Sequence, residues 1–274
     1  METIDLEVNG FHHQASLHRA MSNRVNKTIV YYHGGGFIFG SKDDLPAYAI
    51  EQFTAAGFDL LCMEYPKAPE MKLSQIRDFI EKQLLWVLKN CHKMNLSDDY
   101  ILFGRSAGGY LALYLAKRMM DLEVKKPLEL IIFYGYSTFD DSEFSFSNSY
   151  YNSYPNMQFA DVKTAIEDRP VFQSNLLKRY PLYIYARQSG KWLHLLGINN
   201  DFEKYTIDID CLRFSRIFLA TSKYDRDVNY KHSMMIHEIS RLNELFLSIS
   251  SEHEFDQKPS YESAELYRRL IEWL

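Results

Sequence analysis

The stretch Gly104-Arg-Ser106-Ala-Gly108-Gly109 carries the residue types best suited to nucleophilic chemistry. It is a G-x-S-x-G set between an apolar run ending at Phe103 and a helical stretch beginning near Ala107, which is the context of a nucleophile elbow. A serine at so sharp a strand-to-helix turn needs small neighbours, because side chains at Gly104 and Gly108 would crowd the strained backbone that exposes its hydroxyl. The helix N-terminus beneath it favours developing negative charge. A second glycine cluster, His33-Gly34-Gly35-Gly36-Phe37, also follows an apolar run. Consecutive glycines let backbone N–H groups face a cavity with no Cβ in the way. Two of these donors, joined by the Ala107 N–H, would complete an oxyanion hole.

A serine hydroxyl is a weak nucleophile and needs a base that a third group orients. The rest of the chain should therefore supply an acid and then a histidine at strand ends, where open α/β sheets place their sites. After the apolar run Ile217–Ala220 comes Thr221-Ser-Lys-Tyr-Asp225-Arg-Asp227, and after Leu245–Ile249 comes Ser250-Ser-Glu-His253-Glu-Phe-Asp256. Asp225, nearer the strand end, reads as the acid and Asp227 as its reserve, with the unused one a solvated turn residue. His253 reads as the base, since none of His12, His13, His18, His92, His194, His232 and His237 follows the last strand. His33 either supports its loop by hydrogen bonding or packs in the core. No metal is expected, because neither His12-His13 nor Glu252-His253-Glu254 has zinc-site spacing. Gly35–Lys42 has its Ser and Lys in the wrong order for a phosphate loop, and no cofactor is expected.

The elements that must position these residues are legible as periodicity. Ile4–Val8 and Phe11–His18 roughly alternate apolar and polar residues around Asn9-Gly10, as in an edge hairpin. Thr28–Tyr32, Phe58–Met63, Tyr100–Phe103, Leu128–Tyr134, Ile217–Ala220 and Leu245–Ile249 are mostly apolar runs, the pattern of strands covered on both faces. Between them, Ile76, Phe79, Ile80, Leu84 and Val87 share a helical face, as do Ala264, Tyr267, Leu270, Ile271 and Leu274. This alternation predicts a mostly parallel sheet between helical layers. Residues 138–213 break the pattern with Tyr, Phe, Asn and Ser, and read as a cap inserted in a core made of 1–137 and 214–274. Within it, Ser142–Tyr154 reads as a loop. The aromatics Tyr150, Tyr151, Tyr154, Phe159, Phe172, Tyr180, Tyr183, Tyr185 and Trp192 read by default as the cap's own core, with a minority lining a pocket.

His33-Gly-Gly-Gly-Phe37, Glu64-Tyr-Pro-Lys-Ala-Pro-Glu70, Gly104-Arg-Ser-Ala-Gly-Gly109, Asp225 and His253 together resemble the α/β-hydrolase fold, and within it the hormone-sensitive-lipase-like esterases. The resemblance runs from about Thr28 to the C-terminus and is weakest over 138–213. It implies an eight-stranded, mostly parallel sheet flanked by helices, an inserted helical cap, and a serine hydrolase acting on carboxylic esters with small acyl groups. By matching positions it implies a triad of Ser106, Asp225 and His253, with Gly35, Gly36 and Ala107 as oxyanion donors and His33 and Gly34 in support. The chain departs from the family's usual pattern at Arg105, where an acidic residue usually stands, and at Glu64–Lys67.

Composition sets the outer bounds. The chain has 274 residues, 46% of them hydrophobic and 24% charged, which excludes wholesale disorder and coiled coil. A formal net charge of -5 offers no positive field for nucleic acid or anionic lipid. The three cysteines, Cys62, Cys91 and Cys211, form no disulfide framework, and the acidic N-terminus is no signal peptide, so a cytoplasmic protein without a membrane span is expected. The expected partner is a small-molecule ester, and nothing in the sequence decides between monomer and homodimer. An amidase or peptidase of the same fold, or a non-catalytic small-ligand-binding homologue, are the alternative readings.

Overall fold

A computed structural model describes residues 1–274. Eight strands form one sheet in the order β1-β2-β4-β3-β5-β6-β7-β8. The strands are β1 (Glu2–Val8), β2 (Phe11–His18), β3 (Thr28–Tyr32), β4 (Asp59–Met63), β5 (Tyr100–Arg105), β6 (Glu129–Phe133), β7 (Arg216–Ser222) and β8 (Glu244–Ser248). The hairpin β1–β2 pairs antiparallel through the positive-φ turn Asn9-Gly10, and β2 pairs antiparallel with β4. All later neighbours run parallel.

The apolar runs become central strands because each alternate residue enters a different core. On β3, Val30 and Tyr32 join one cluster and Ile29 and Tyr31 the other; on β5, Leu102 faces the first and Ile101 and Phe103 the second. The first cluster is closed by α2 (Leu73–Asn90) and α3 (Ala107–Asp121). The second is closed by α1 (Ala47–Ala55) and by the C-terminal helix Tyr261–Trp273, through residues such as Phe53, Leu266, Tyr267 and Leu270. No helix is long and apolar enough to cross a membrane.

Residues 138–213 contain only helical elements, the longest being α4 (Leu176–Gln188). The expected loop Ser142–Tyr154 is a correction: it holds a short helix at Ser142–Ser145 and a 3₁₀ turn at Ser149–Ser153. Asp141 and Asn148 start these turns by accepting the backbone N–H of Glu143 and Tyr150, a local capping bond that creates order without any apolar period.

Arg179 of α4 ties this segment to the sheet. Its side chain is buried, its Nη1 lies 2.6 Å from Glu70 Oε1, and it donates to the backbone carbonyls of Ile38, Ala68 and Ala165. One guanidinium thus joins α4, the glycine loop after β3 and the loop after β4. A paired, fully hydrogen-bonded charge is the form in which an arginine can be buried at all.

Candidate active site

Ser106 sits between β5 and α3 with φ 53° and ψ -119°, a conformation that L-residues rarely adopt. Its backbone N–H donates to Phe133 O at 2.9 Å, which anchors the turn to β6. The glycines around it are required by contact: a Cβ at Gly104 would overlap the Gly108 carbonyl, and one at Gly108 would overlap the Tyr32 carbonyl. Both clashes are with backbone, which cannot swing away. The strained serine is held because strand, turn and helix meet at van der Waals distance.

The chain's distant ends converge on this turn. His253, in the loop after β8, has Nε2 2.8 Å from Ser106 Oγ and Nδ1 2.6 Å from Asp225 Oδ2. Asp225 follows β7, and its Oδ1 accepts the backbone N–H of Asp227 and Val228 at 2.8 and 3.0 Å, so the carboxylate is fixed before it meets the imidazole. Burial alone would lower the His253 pKa. The Asp225 carboxylate outweighs it, aided by Asp227 and Glu254, and raises the value from 6.5 to about 9. A neutral imidazole oriented this way can accept the serine proton, and its charged form is stabilised by the carboxylate behind it.

Across the cavity, Gly35 and Gly36 have φ of 94° and 55°. A Cβ at Gly35 would overlap the Phe39 carbonyl, and one at Gly36 the Tyr183 ring. The backbone N–H groups of Gly35, Gly36 and Ala107 donate to no protein acceptor, and Gly35, Gly36 and Ser106 share one cavity. The loop is held from below by His33, whose Nδ1 is 2.7 Å from Gly34 O and whose Nε2 is 2.8 Å from Glu64 Oε1. Lys67 donates to Glu64, and also to Tyr65 O and Phe172 O. Burial would raise the Glu64 pKa, but Lys67 and His33 outweigh it and hold the carboxyl down to about 2. Of the two readings of His33, loop support is the one its contacts describe.

Asp227 corrects a sequence expectation. It is no solvated turn residue but a buried one: Tyr183 donates its hydroxyl to Oδ2 at 2.9 Å, and Arg187 Nη2 lies 3.2 Å from Oδ1. Two positions on α4, one turn apart, supply its partners, a relation that no local pattern around Asp227 discloses. The aromatics of residues 138–213 also divide differently from the default. Tyr150, Tyr151, Tyr154, Tyr180 and Tyr183 line the cavity over Ser106, while Phe172 packs against Phe11, His13 and Phe79 near the other edge of the sheet.

One set of residues went unread in the sequence. Arg105, fully buried beside the serine, donates through Nη2 to Asp256 Oδ1 at 3.1 Å and Gln257 Oε1 at 2.8 Å, and through Nε to Tyr134 Oη. Tyr134 in turn donates to Asp256 and packs its ring 4.6 Å from that of His253. The signal available was a cation where the family usually carries an acid, which calls for an acidic partner elsewhere. No group of three or more His, Cys, Asp or Glu is arranged to hold a metal ion.

A profile of the alpha/beta hydrolase fold matches residues 29–173. Mouse (Mus musculus) hormone-sensitive lipase is 26% identical over 138 residues, which is 50% of this chain and 17% of the lipase. The chain spans between 5% and 34% of the length of its curated relatives. Among solved structures, a protein of unknown function from Staphylococcus aureus superposes with a TM-score of 0.88 at 27% identity, covering 100% of this chain and 98% of that one. An alpha/beta hydrolase superfamily protein from Enterococcus faecalis does so with a TM-score of 0.85 at 26% identity, over 99% and 98%. The chain therefore belongs to the alpha/beta hydrolase fold family and resembles the hormone-sensitive-lipase-like esterases within it.

Proposed function

We propose that the protein is a serine hydrolase of small carboxylic esters working through an acyl-enzyme. The contact that carries this reading is the unbroken line Asp225–His253–Ser106, with both hydrogen bonds at 2.6–2.8 Å. Ser106 Oγ attacks the ester carbonyl carbon as His253 Nε2 takes its proton. The carbonyl oxygen becomes an oxyanion that the N–H groups of Gly35, Gly36 and Ala107 receive. Collapse breaks the bond to the alcohol oxygen, which leaves with the proton from His253. A water molecule then attacks the acyl-serine with the same base, releasing the acid and restoring Ser106.

The test is covalent. A fluorophosphonate should add one phosphonyl group to the intact protein, seen by mass spectrometry, and Ser106→Ala should take up none. A wild-type protein that hydrolyses short aryl esters yet loses no activity on Ser106→Ala would overturn the reading.

Gly36→Ala is expected to lower kcat by about 10²–10³ with the same ester, because the new methyl overlaps Tyr183 at a positive φ and the loop must shift its donors. Steady-state kinetics check it.

The pH dependence follows from His253. Its imidazolium cannot accept a proton, so kcat/KM is expected to climb with pH until near 9. Folding favours the protonated form, since the pKa in the fold exceeds that of the unfolded chain. The resulting stability is therefore complete below pH 6.5 and lost as pH rises through about 9. Activity should rise and the melting temperature fall over one and the same interval, with rate and melting profiles read on the same buffers.

A further inference from the structure

The cavity over Ser106 holds about 390 Å³, near the lower end of the roughly 300–1,000 Å³ typical of small-ligand sites. Its composition is unusual in one respect. Every hydrophobic side chain that lines it is aromatic: five tyrosines with Phe39 and Phe255, and no Ala, Val, Leu, Ile or Met. The rings form a closed circuit. Phe39 touches Tyr183 and Tyr180 at centroid distances of 5.2 Å each, Tyr183 touches Tyr151 at 5.6 Å, Tyr151 touches Tyr154 at 5.8 Å, and Tyr154 touches Tyr180 at 6.1 Å.

This wall is fixed at both ends. The Tyr183 hydroxyl is held by Asp227 and its ring lies where a Cβ on Gly36 would stand, so the wall begins at the oxyanion loop itself. The Tyr180 hydroxyl donates to that of Tyr154 at 3.1 Å. Burial and the Asp227 carboxylate both push the Tyr183 pKa upward, keeping the phenol a neutral donor.

Such a lining discriminates by chemistry rather than by size. Tyr183 and Tyr180 already donate within the protein, so an alkyl chain would strip water from the hydroxyl sites these bonds leave open, the proton of Tyr154 among them, and return no hydrogen bond, at about 1–3 kcal/mol for each left unpaired. A ring bearing hydroxyls, whether a planar phenol or the C–H face of a sugar, can lie on the tyrosine faces and pair with their hydroxyls. We propose, on the strength of the ester-hydrolase reading above, that this cavity selects esters carrying a hydroxylated ring, phenolic or sugar, over alkyl esters of similar size. Tyr154 and Tyr180 are the residues that set the preference, because they line the cavity and, unlike Tyr183, are not bound to Asp227.

The experiment is proton release in a pH-stat with three esters: methyl 3-(4-hydroxyphenyl)propanoate, an acetylated glucose, and methyl nonanoate. At least one ring-bearing ester should exceed the alkyl ester by tenfold or more in kcat/KM, and which one does so identifies the ring. In Tyr154→Leu/Tyr180→Leu the ratio should fall toward one or invert. Parity between ring and alkyl esters in the wild type, a preference for the nonanoate, or an unchanged ratio in the double variant would overturn the inference and leave the hydrolase reading intact. Failure to cleave any of the three while Ser106 still takes the phosphonate overturns this inference alone. If Ser106 takes no label and no ester is cleaved, the underlying reading falls and this one with it.

Discussion

Asp225→Asn is expected to lower kcat by about 10⁴ while leaving the protein folded. The substitution is nearly isosteric, so the Oδ1 position can still accept the backbone N–H groups of Asp227 and Val228. What changes is the side facing His253. The carboxylate Oδ2 accepts the hydrogen bond of Nδ1–H at 2.6 Å, which keeps the proton on Nδ1 and leaves Nε2 bare toward Ser106. An amide NH₂ turned toward the ring donates instead, so the imidazole carries its proton on Nε2 and has nothing with which to accept the serine hydroxyl. The loss of the neighbouring negative charge also lowers the His253 pKa, moving the rising limb of the pH profile to lower pH. Kinetics over a pH series measure both, and a variant retaining more than a tenth of wild-type kcat would remove Asp225 from the proposed machinery.

Asp256→Ala should be the costliest single change to stability, at about 3–5 kcal/mol. Its carboxylate accepts from Arg105, Tyr134 and Tyr267 in a place from which solvent is excluded. Truncation strands a buried guanidinium, whose Nη1 already lacks a hydrogen-bond partner, and two phenolic hydroxyls. Urea unfolding measures the loss. Removing both charges, as Arg105→Met with Asp256→Leu, should recover most of it, because the largest penalty comes from an unpaired charge and not from the absence of a pair. If the double variant is no more stable than the single one, the ion pair is not the source of the effect.

The parts of the protein that were legible in its sequence are those fixed by short-range rules. A strand buried on both faces must be apolar along its length, and β3, β6 and β7 announce themselves in that way. A strained turn wedged against backbone tolerates only glycine, which exposes the elbow at Ser106. Placement after a strand selected Asp225 and His253 from many acids and histidines. The illegible parts depend on partners far apart in the chain. Arg179 meets Glu70 across 109 positions and Arg105 meets Asp256 across 151. Nothing in the residues beside either arginine shows that it is buried. Asp227 differs from a solvent-facing turn residue only because α4 brings Tyr183 and Arg187 to it, and the turns at Ser142–Ser145 and Ser149–Ser153 rest on capping bonds that carry no periodic signature.

The arginine clamp on α4 has a consequence for how such chains can diversify. Since Arg179 grips carbonyls on the glycine loop and beyond β4 at once, residues 138–213 are no detachable ornament on a reusable base. A graft taken from a cousin would arrive without the arginine that matches Glu70 in the host, and the floor of the reaction centre would shift with it. Exchange between lineages therefore has to move roof and floor as a single unit, and the tyrosines freest to vary are those that face the void without bonding to Arg179 or Asp227, such as Tyr154 and Tyr180.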